Sequence, residues 1–526
     1  MRKLLSIYRS EEFGAAKKYP VSGWGRVEQL FVIWLVLIGI GMGIVYSSTA
    51  EAIPAFARKY DVSCNVCHTR QPRLNPYGQR FMENGFQLPG TSDGGVTEKR
   101  LFGGPLDGAT LDKISNYMAV RFRADIQKAN FRDKAATETS DDWDIVFPNV
   151  VNIFFAGTAT KDISFFLETE YATRGAEEPA LRFERAYLVF DNLGGQQVAN
   201  LKIGVFDPAS FFAFPTHRQQ LNPVPPEAET DTYPPTINRI PLLPLAFASK
   251  MYGLSRGASY VGVDTPGGAA NDPTDSEQIK EDFAILPFAP LLYNSPAMTG
   301  LSVHGRPFGP NFLYQIGVAQ NKTAESTSKT RWDQYITLRY DLLYGEYSAF
   351  QVSGFYYTAP KAAMPTLNMA GTLAYADQAV DWNRYGIGAR WTSKWWDVYG
   401  TVIWDEIDQP SFTGVGSTST WDTSAMGTSV EVDYLLNARW LLGTRYDSMS
   451  AGGLIRGMPG WNQPMKQDAS FIGLLAKYYP TPNIGLYVRY HYNLESSATL
   501  PTALGGGEHP ATNLKSMAFA GIDMAF

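Results

Sequence analysis

The chain has 526 residues and two cysteines, and both fall within one five-residue stretch: Cys64-Asn65-Val66-Cys67-His68. Such a set can do three kinds of chemistry. It can cycle as a redox disulfide, supply part of a zinc site, or carry haem, with thioethers to the vinyl groups and the histidine on the iron. A structural zinc needs about four ligands, and no further cysteine exists to complete the set. A thioredoxin-like pair would sit beside a βαβ pattern, and none is visible. The spacing therefore predicts one covalently bound c-type haem, held by Cys64 and Cys67, with His68 as the proximal iron ligand. One-electron transfer is the commonest use of that cofactor. No Ser/His/Asp set or Gly-rich phosphate loop sits on a plausible scaffold, so no catalytic residue is assigned, and no nucleic-acid-binding pattern is present.

The segment before the motif must deliver it across a membrane. Leu30–Val45 is an almost unbroken apolar run, preceded by Arg2, Lys3, Arg9, Lys17, Lys18 and Arg26 and followed by Ala50-Glu51-Ala52. This is the order of a secretory signal, so residues 1–52 are expected to be a signal peptide and Ile53 the mature start. The competing reading is an uncleaved inner-membrane anchor, since the run is near the lower bound of about 17 residues for a spanning helix. Either way the haem faces an extracytoplasmic compartment.

Behind the motif the composition changes the question to β-structure. Charged residues make up 18%, below the usual quarter, aromatic residues 13%, and glycine numbers 48. Mean hydropathy is −0.19, and no later stretch is apolar enough for a membrane helix. From about Ser115 the chain breaks into alternating segments. Arg121, Arg123 and Asp125 share one face of the first; Glu168 and Glu170, Arg339 and Asp341, Arg384 and Arg390, Glu431 and Asp433, and Arg489 and His491 do the same in later ones. Short turns near Asn192–Gln197, Gly305–Pro310, Leu343–Glu346, Ser393–Lys394, Asn437–Ala438 and Pro480–Asn483 take turns with long polar loops. Those loops are Ala129–Val146, Asn321–Lys329, Pro360–Val380, Gln409–Thr423, Ala451–Lys466 and Glu495–Lys515. Outer-membrane barrels alternate in this way.

The fold class predicted is mainly β: an antiparallel transmembrane barrel of about sixteen strands over residues 115–526, with a small monohaem segment over 53–114. The even count requires that Asp207–Ala297, which is rich in proline, be one long insertion. Counting Ala258–Val263 as a spanning strand would reverse every later turn. The terminal Phe526 after an alternating strand resembles the assembly signal of bacterial outer-membrane proteins.

One further pattern carries a resemblance. Pro54-Ala55-Phe56-Ala57-Arg58-Lys59-Tyr60, Cys64-x-x-Cys67-His68, Pro72-Arg73-Leu74-Asn75-Pro76-Tyr77-Gly78, Phe81 and Asn84-Gly85-Phe86 resemble the fused outer-membrane monohaem c-type cytochrome–porin family of iron-oxidising bacteria. The resemblance is sharp over about forty residues around the haem motif, and the long proline-rich insertion departs from it. It implies an Fe(II) oxidase of the iron:cytochrome c type, which takes electrons from extracellular Fe(II) and passes them to a periplasmic cytochrome c or copper protein. The barrel would lie in outer-membrane lipid, with the haem segment on the periplasmic side or inside the barrel.

Electrons must then cross an apolar band about 25 Å tall. A haem wholly beneath the barrel would be remote from an outside donor, so either the segment plugs the lumen or the donor enters it. Candidates for the distal iron ligand are Met82, His304, His217 and His491; a thioether there raises the potential. Fe(II) is expected to meet lumen or loop carboxylates in transit. The net charge of −6 permits cation attraction without establishing it. Two other functions stay open: a porin for solutes with a haem-bearing gate or sensor, and an electron conduit for a mineral, electrode or protein donor.

Overall fold

The computed structural model describes residues 55–88, 114–131, 143–172, 180–206 apart from 196, 298–321, 331–367 apart from 345–347, 373–408, 418–456, 464–500 and 514–526. It also describes short pieces at 99–100, 110–111, 411–413 and 507–508. The expected signal peptide and the insertion 207–297 lie outside these residues.

The alternating segments pair in order into one closed antiparallel sheet. Eighteen strands take part. Two of them, Ser411–Thr413 and Gly507–Glu508, are short additions on the long-loop side, which leaves sixteen full staves. In chain order these are β1 (Met118–Phe131), β2 (Asp144–Thr160), β3 (Ile163–Ala172), β4 (Ala180–Leu193), β5 (Ala199–Phe206), β6 (Met298–Gly305), β7 (Phe312–Asn321) and β8 (Arg331–Leu343). There follow β9 (Ala349–Leu367), β10 (Leu373–Thr392), β11 (Trp396–Asp408), β12 (Thr418–Leu435), β13 (Trp440–Arg456), β14 (Pro464–Thr481), β15 (Ile484–Leu500) and β16 (Leu514–Ala525).

Closure is by β16 on β1, where Val120 and Phe526 exchange backbone hydrogen bonds of 3.1 and 2.8 Å. A closed sheet leaves no unpaired edge, which lipid would not tolerate. β5 pairs directly with β6, Leu201 opposite Val303, so the insertion adds no strand between them and the even count stands.

The two faces of the sheet are inverted relative to a soluble protein. Leu338, Ile387, Val430, Leu474 and Val488 are 40–53% exposed on the outside. Their neighbours Arg339, Glu431 and Arg489 are at most 5% exposed and point into the lumen. Charge inside and aliphatic side chains outside are stable when the surroundings are hydrocarbon, so the barrel is of the transmembrane type. Exposed Trp391, Trp395, Trp396 and Tyr344 mark the short-turn rim as an aromatic girdle, with Trp391 Nε1 donating to the Tyr344 hydroxyl at 2.7 Å.

Several predicted loops prove to be strand. β9 and β10 stay paired to Leu367 opposite Leu373, through most of Pro360–Val380, and β13, β14 and β15 likewise run into segments expected to be loops. The alternation used to find strands holds only where one face meets lipid. Above that band the ladder continues without it: the 20 residues of β10 extend roughly 65 Å, far beyond an apolar band of about 25 Å.

Residues 51–526 form one compact unit. Ahead of the barrel run helix α1 (Ala55–Tyr60), a single 3-10 turn (Cys64–Val66), a hairpin of His68–Arg70 with Arg73–Leu74, and helix α2 (Pro76–Glu83). They occupy the lumen at the short-turn end. Arg70 donates to the Asn437 carbonyl in the β12–β13 turn at 2.9 Å, and Arg80 donates to that of Pro310 in the β6–β7 turn at 3.0 Å.

Candidate functional site

The cysteine pair is shaped by its flanks. Ser63 caps the 3-10 turn, and the Cys67 amide donates to the Cys64 carbonyl at 3.2 Å, which coils the chain tightly between the two thiols. No disulfide joins them. Burial pushes both thiols up, Cys67 to about 11, with the neighbouring Cys64 adding to the effect. This is opposite to the lowered thiol of a redox-active pair.

Asn75 ties α2 to this turn. Its Oδ1 accepts from the Gly78 amide at 2.9 Å as the helix cap, its Nδ2 donates to the Val66 carbonyl at 2.9 Å, and its amide donates to that of Cys67 at 2.9 Å. Pro76 occupies the first turn of the helix, where a missing amide costs nothing. Gly78 then lies against the motif so closely that a Cβ would stand 2.1 Å from the Cys67 carbonyl oxygen. The Asn-Pro-x-Gly stretch is therefore the part of α2 that lets the helix rest on the cysteine turn.

His68 is held by its far nitrogen: Nδ1 lies 3.1 Å from the Pro72 carbonyl oxygen. A carbonyl only accepts, so the proton belongs on Nδ1, and a ring held in this way ligates metal through Nε2. His68, Cys64 and Cys67 line one cavity of about 300 Å³ inside the barrel, together with Phe56, Leu74 and Phe81. Its size falls in the range of cofactor pockets. The thiols, the oriented imidazole and the apolar plug-side lining fit a covalent haem.

Two buried ion-pair clusters and an aromatic stack pin residues 55–88 in place. Fully buried Arg73 donates to Asp433 at 2.5 Å, pairs with Glu431, reaches Asp397 at 3.4 Å and lies over the Tyr399 ring at 4.9 Å. Arg390 donates to Asp397 at 2.6 Å and to the Leu74 carbonyl at 2.9 Å. On the other side Glu83 pairs with Arg306 at 2.7 Å and with Arg339, and both guanidinium groups also hold Asp341. Phe86 stacks on Phe166 of β3 at 5.7 Å and on Phe56 at 5.3 Å. Gly85, with φ +64°, passes so close to Asp191 that a Cβ would meet its carboxylate at 2.3 Å.

The lumen charges read from the alternation are mostly partnered. Arg121 pairs with Asp523 at 2.8 Å, Arg123 lies 3.9 Å from Asp125, and Glu168 pairs with Arg185 at 2.6 Å. Glu431 and Asp433 serve Arg73, and Glu431 also serves Arg445. The Glu170 side chain lies outside the described residues. Glu168, Asp341, Glu431 and Asp433 are thus carboxylates whose charge is matched by arginine. Among the described residues no group of three or more His, Cys, Asp or Glu is placed to hold a metal ion.

Of the distal-ligand candidates, Met82 lines the cavity with the motif. His304 is buried near the short-turn rim, with Nε2 3.1 Å from the Glu83 carbonyl, and His491 packs edge-on to Phe519; neither lines that cavity. His217 lies outside the described residues. The pinning role of Arg73, quoted above only within the resemblance, and of Glu83 is not read from the sequence. Their signal was a charge set among apolar residues in a short motif.

No protein-family model matches the chain, and no curated protein does. Among solved structures the barrel is similar to OmpF of Salmonella typhi at 14% identity, over 80% of this chain and 98% of that one, with a TM-score of 0.44. An anion-selective porin from Comamonas acidovorans matches at 13% identity over 78% and 98%, with a TM-score of 0.43. OmpT, an outer membrane protein of Vibrio cholerae, matches at 11% identity over 78% and 96%, with a TM-score of 0.40.

Proposed function

We propose that the chain is an outer-membrane electron-transfer protein. It carries one c-type haem on Cys64, Cys67 and His68 inside the barrel, takes electrons from extracellular Fe(II) and passes them to a periplasmic cytochrome c or copper protein. The observation that carries the reading is the cavity shared by both thiols and the oriented His68, enclosed by a plug pinned within the lumen. Fe(II) as donor, and the carrier as acceptor, come from the family resemblance.

When bound, a c-type haem supplies one reversible one-electron store. His68 would hold the iron through Nε2, its ring fixed and made more basic by the Pro72 carbonyl. Met82 lines the same cavity and would offer a thioether, a ligand that raises the potential toward that of a weak reductant such as Fe(II). Phe56, Leu74 and Phe81 give the cavity apolar lining, which would disfavour the more highly charged ferric state of a bound haem. Each Fe(II) gives up one electron and leaves as Fe(III), and each acceptor gains one.

A second reading, a solute porin with a gating segment, is favoured by the closed sixteen-stave barrel itself. It requires residues 55–88 to withdraw, with Arg73 and Glu83 leaving their partners. Proteoliposomes with an entrapped acceptor cytochrome separate the two. External Fe(II) should reduce the entrapped acceptor without leakage of small solutes. Solute leakage with no reduction would replace the electron-transfer reading with the porin one.

A further inference from the structure

The cavity around the haem motif has two chemically different sides. Residues of the plug supply the thiols, His68 and apolar contacts. The barrel wall supplies three cations, Arg121 of β1, Arg185 of β4 and Lys202 of β5, against one lining carboxylate, Glu168 of β3. Arg185 donates to Glu168 at 2.6 Å, and Arg121 makes two bonds of 2.8 Å to Asp523. Lys202 is 4% exposed, and its ammonium lies over the rings of Tyr187 at 4.8 Å and Phe206 at 5.3 Å. Three cations against one carboxylate in a mostly apolar lining favour an anionic occupant.

The haem reading above, on which this inference rests, supplies that anion. The vinyl groups and the two propionates of haem occupy opposite edges of the macrocycle. Attachment through Cys64 and Cys67 ties the vinyl edge to the plug, so the propionates are turned away from the plug's thiols. We infer that the barrel wall is the propionate-binding side, with Lys202 and Arg185 pairing with the two carboxylates and Arg121 reinforcing them. The pocket is then complete only when plug and barrel come together. The wall also tunes the iron, because nearby positive charge favours the reduced state.

Two variants of opposite charge test this in the full-length holoprotein. Lys202→Met keeps the apolar stem over the two rings but removes the cation. Glu168→Gln leaves the wall more positive. The readouts are a spectroelectrochemical redox titration and the propionate bending modes in resonance Raman. Lys202→Met should shift the reduction equilibrium about tenfold toward Fe(III), about 59 mV for a one-electron couple, and move the propionate modes. Lys202→Arg should restore both, and Glu168→Gln should shift the equilibrium the other way. Unchanged potential and unchanged propionate modes in haem-loaded Lys202→Met and Glu168→Gln would overturn the inference. A wild-type chain without covalent haem would instead overturn the electron-transfer reading beneath it.

Discussion

Replacing Arg73 by methionine is the sharpest test of whether the segment is a fixed plug or a movable gate. Arg73 is fully buried and serves Glu431, Asp433 and Asp397. Breaking a buried pair by removing one partner costs about 3–5 kcal/mol, because a charge is left uncompensated. Arg445 still serves Glu431, and Arg390 still serves Asp397, so Asp433 bears most of the loss. The lower end of the range, about 3 kcal/mol, is the appropriate figure. At about 1.4 kcal/mol per tenfold, that weakens docking of the segment roughly a hundredfold. The assay is single-channel conductance in planar bilayers, paired with limited proteolysis of residues 55–88. Arg73→Met should show open events and faster cleavage than wild type. Adding Asp433→Asn should recover part of the loss, since it removes the stranded charge. Wild-type conductance and proteolysis in Arg73→Met would refute the pinning argument.

Other predictions concern the motif itself. Cys64→Ser with Cys67→Ser should leave a folded barrel that carries no covalent haem on a haem-stained gel. Gly78→Ala should lower haem loading and destabilise the plug by about 1–3 kcal/mol in a thermal melt followed at the haem band, because the added Cβ would stand 2.1 Å from the Cys67 carbonyl oxygen. Met82→Leu should abolish the sulfur-to-iron charge-transfer band and lower the potential. Retention of that band would move the distal ligand elsewhere.

The lumen face was legible in the sequence wherever the barrel crosses lipid, because the hydrocarbon outside enforces a period of two. Arg339 and Asp341 on one face, with Leu338 on the other, could be read directly, and the structure puts them there. Where strands rise beyond lipid, as in β9 and β10 past Pro360, nothing enforces the period, and paired strand read as loop. The spacing of Cys64, Cys67 and His68 announced the site. What seats it was illegible: Arg73 and Asp433 lie 360 positions apart, and only the closed sheet brings them together. The same holds for His304. The sequence offered it as a distal iron ligand, yet its contact is the end of α2, because Glu83 is drawn there by Arg306 and Arg339.

The most direct test of the central claim is a stopped-flow titration of oxidised, detergent-solubilised holoprotein with Fe(II), following the haem α-band at acidic and neutral pH. An outer-membrane Fe(II) oxidase predicts rapid growth of the band, saturating at one electron per chain. A chain with no haem band, or with a band that dithionite raises and Fe(II) leaves unchanged, would contradict it.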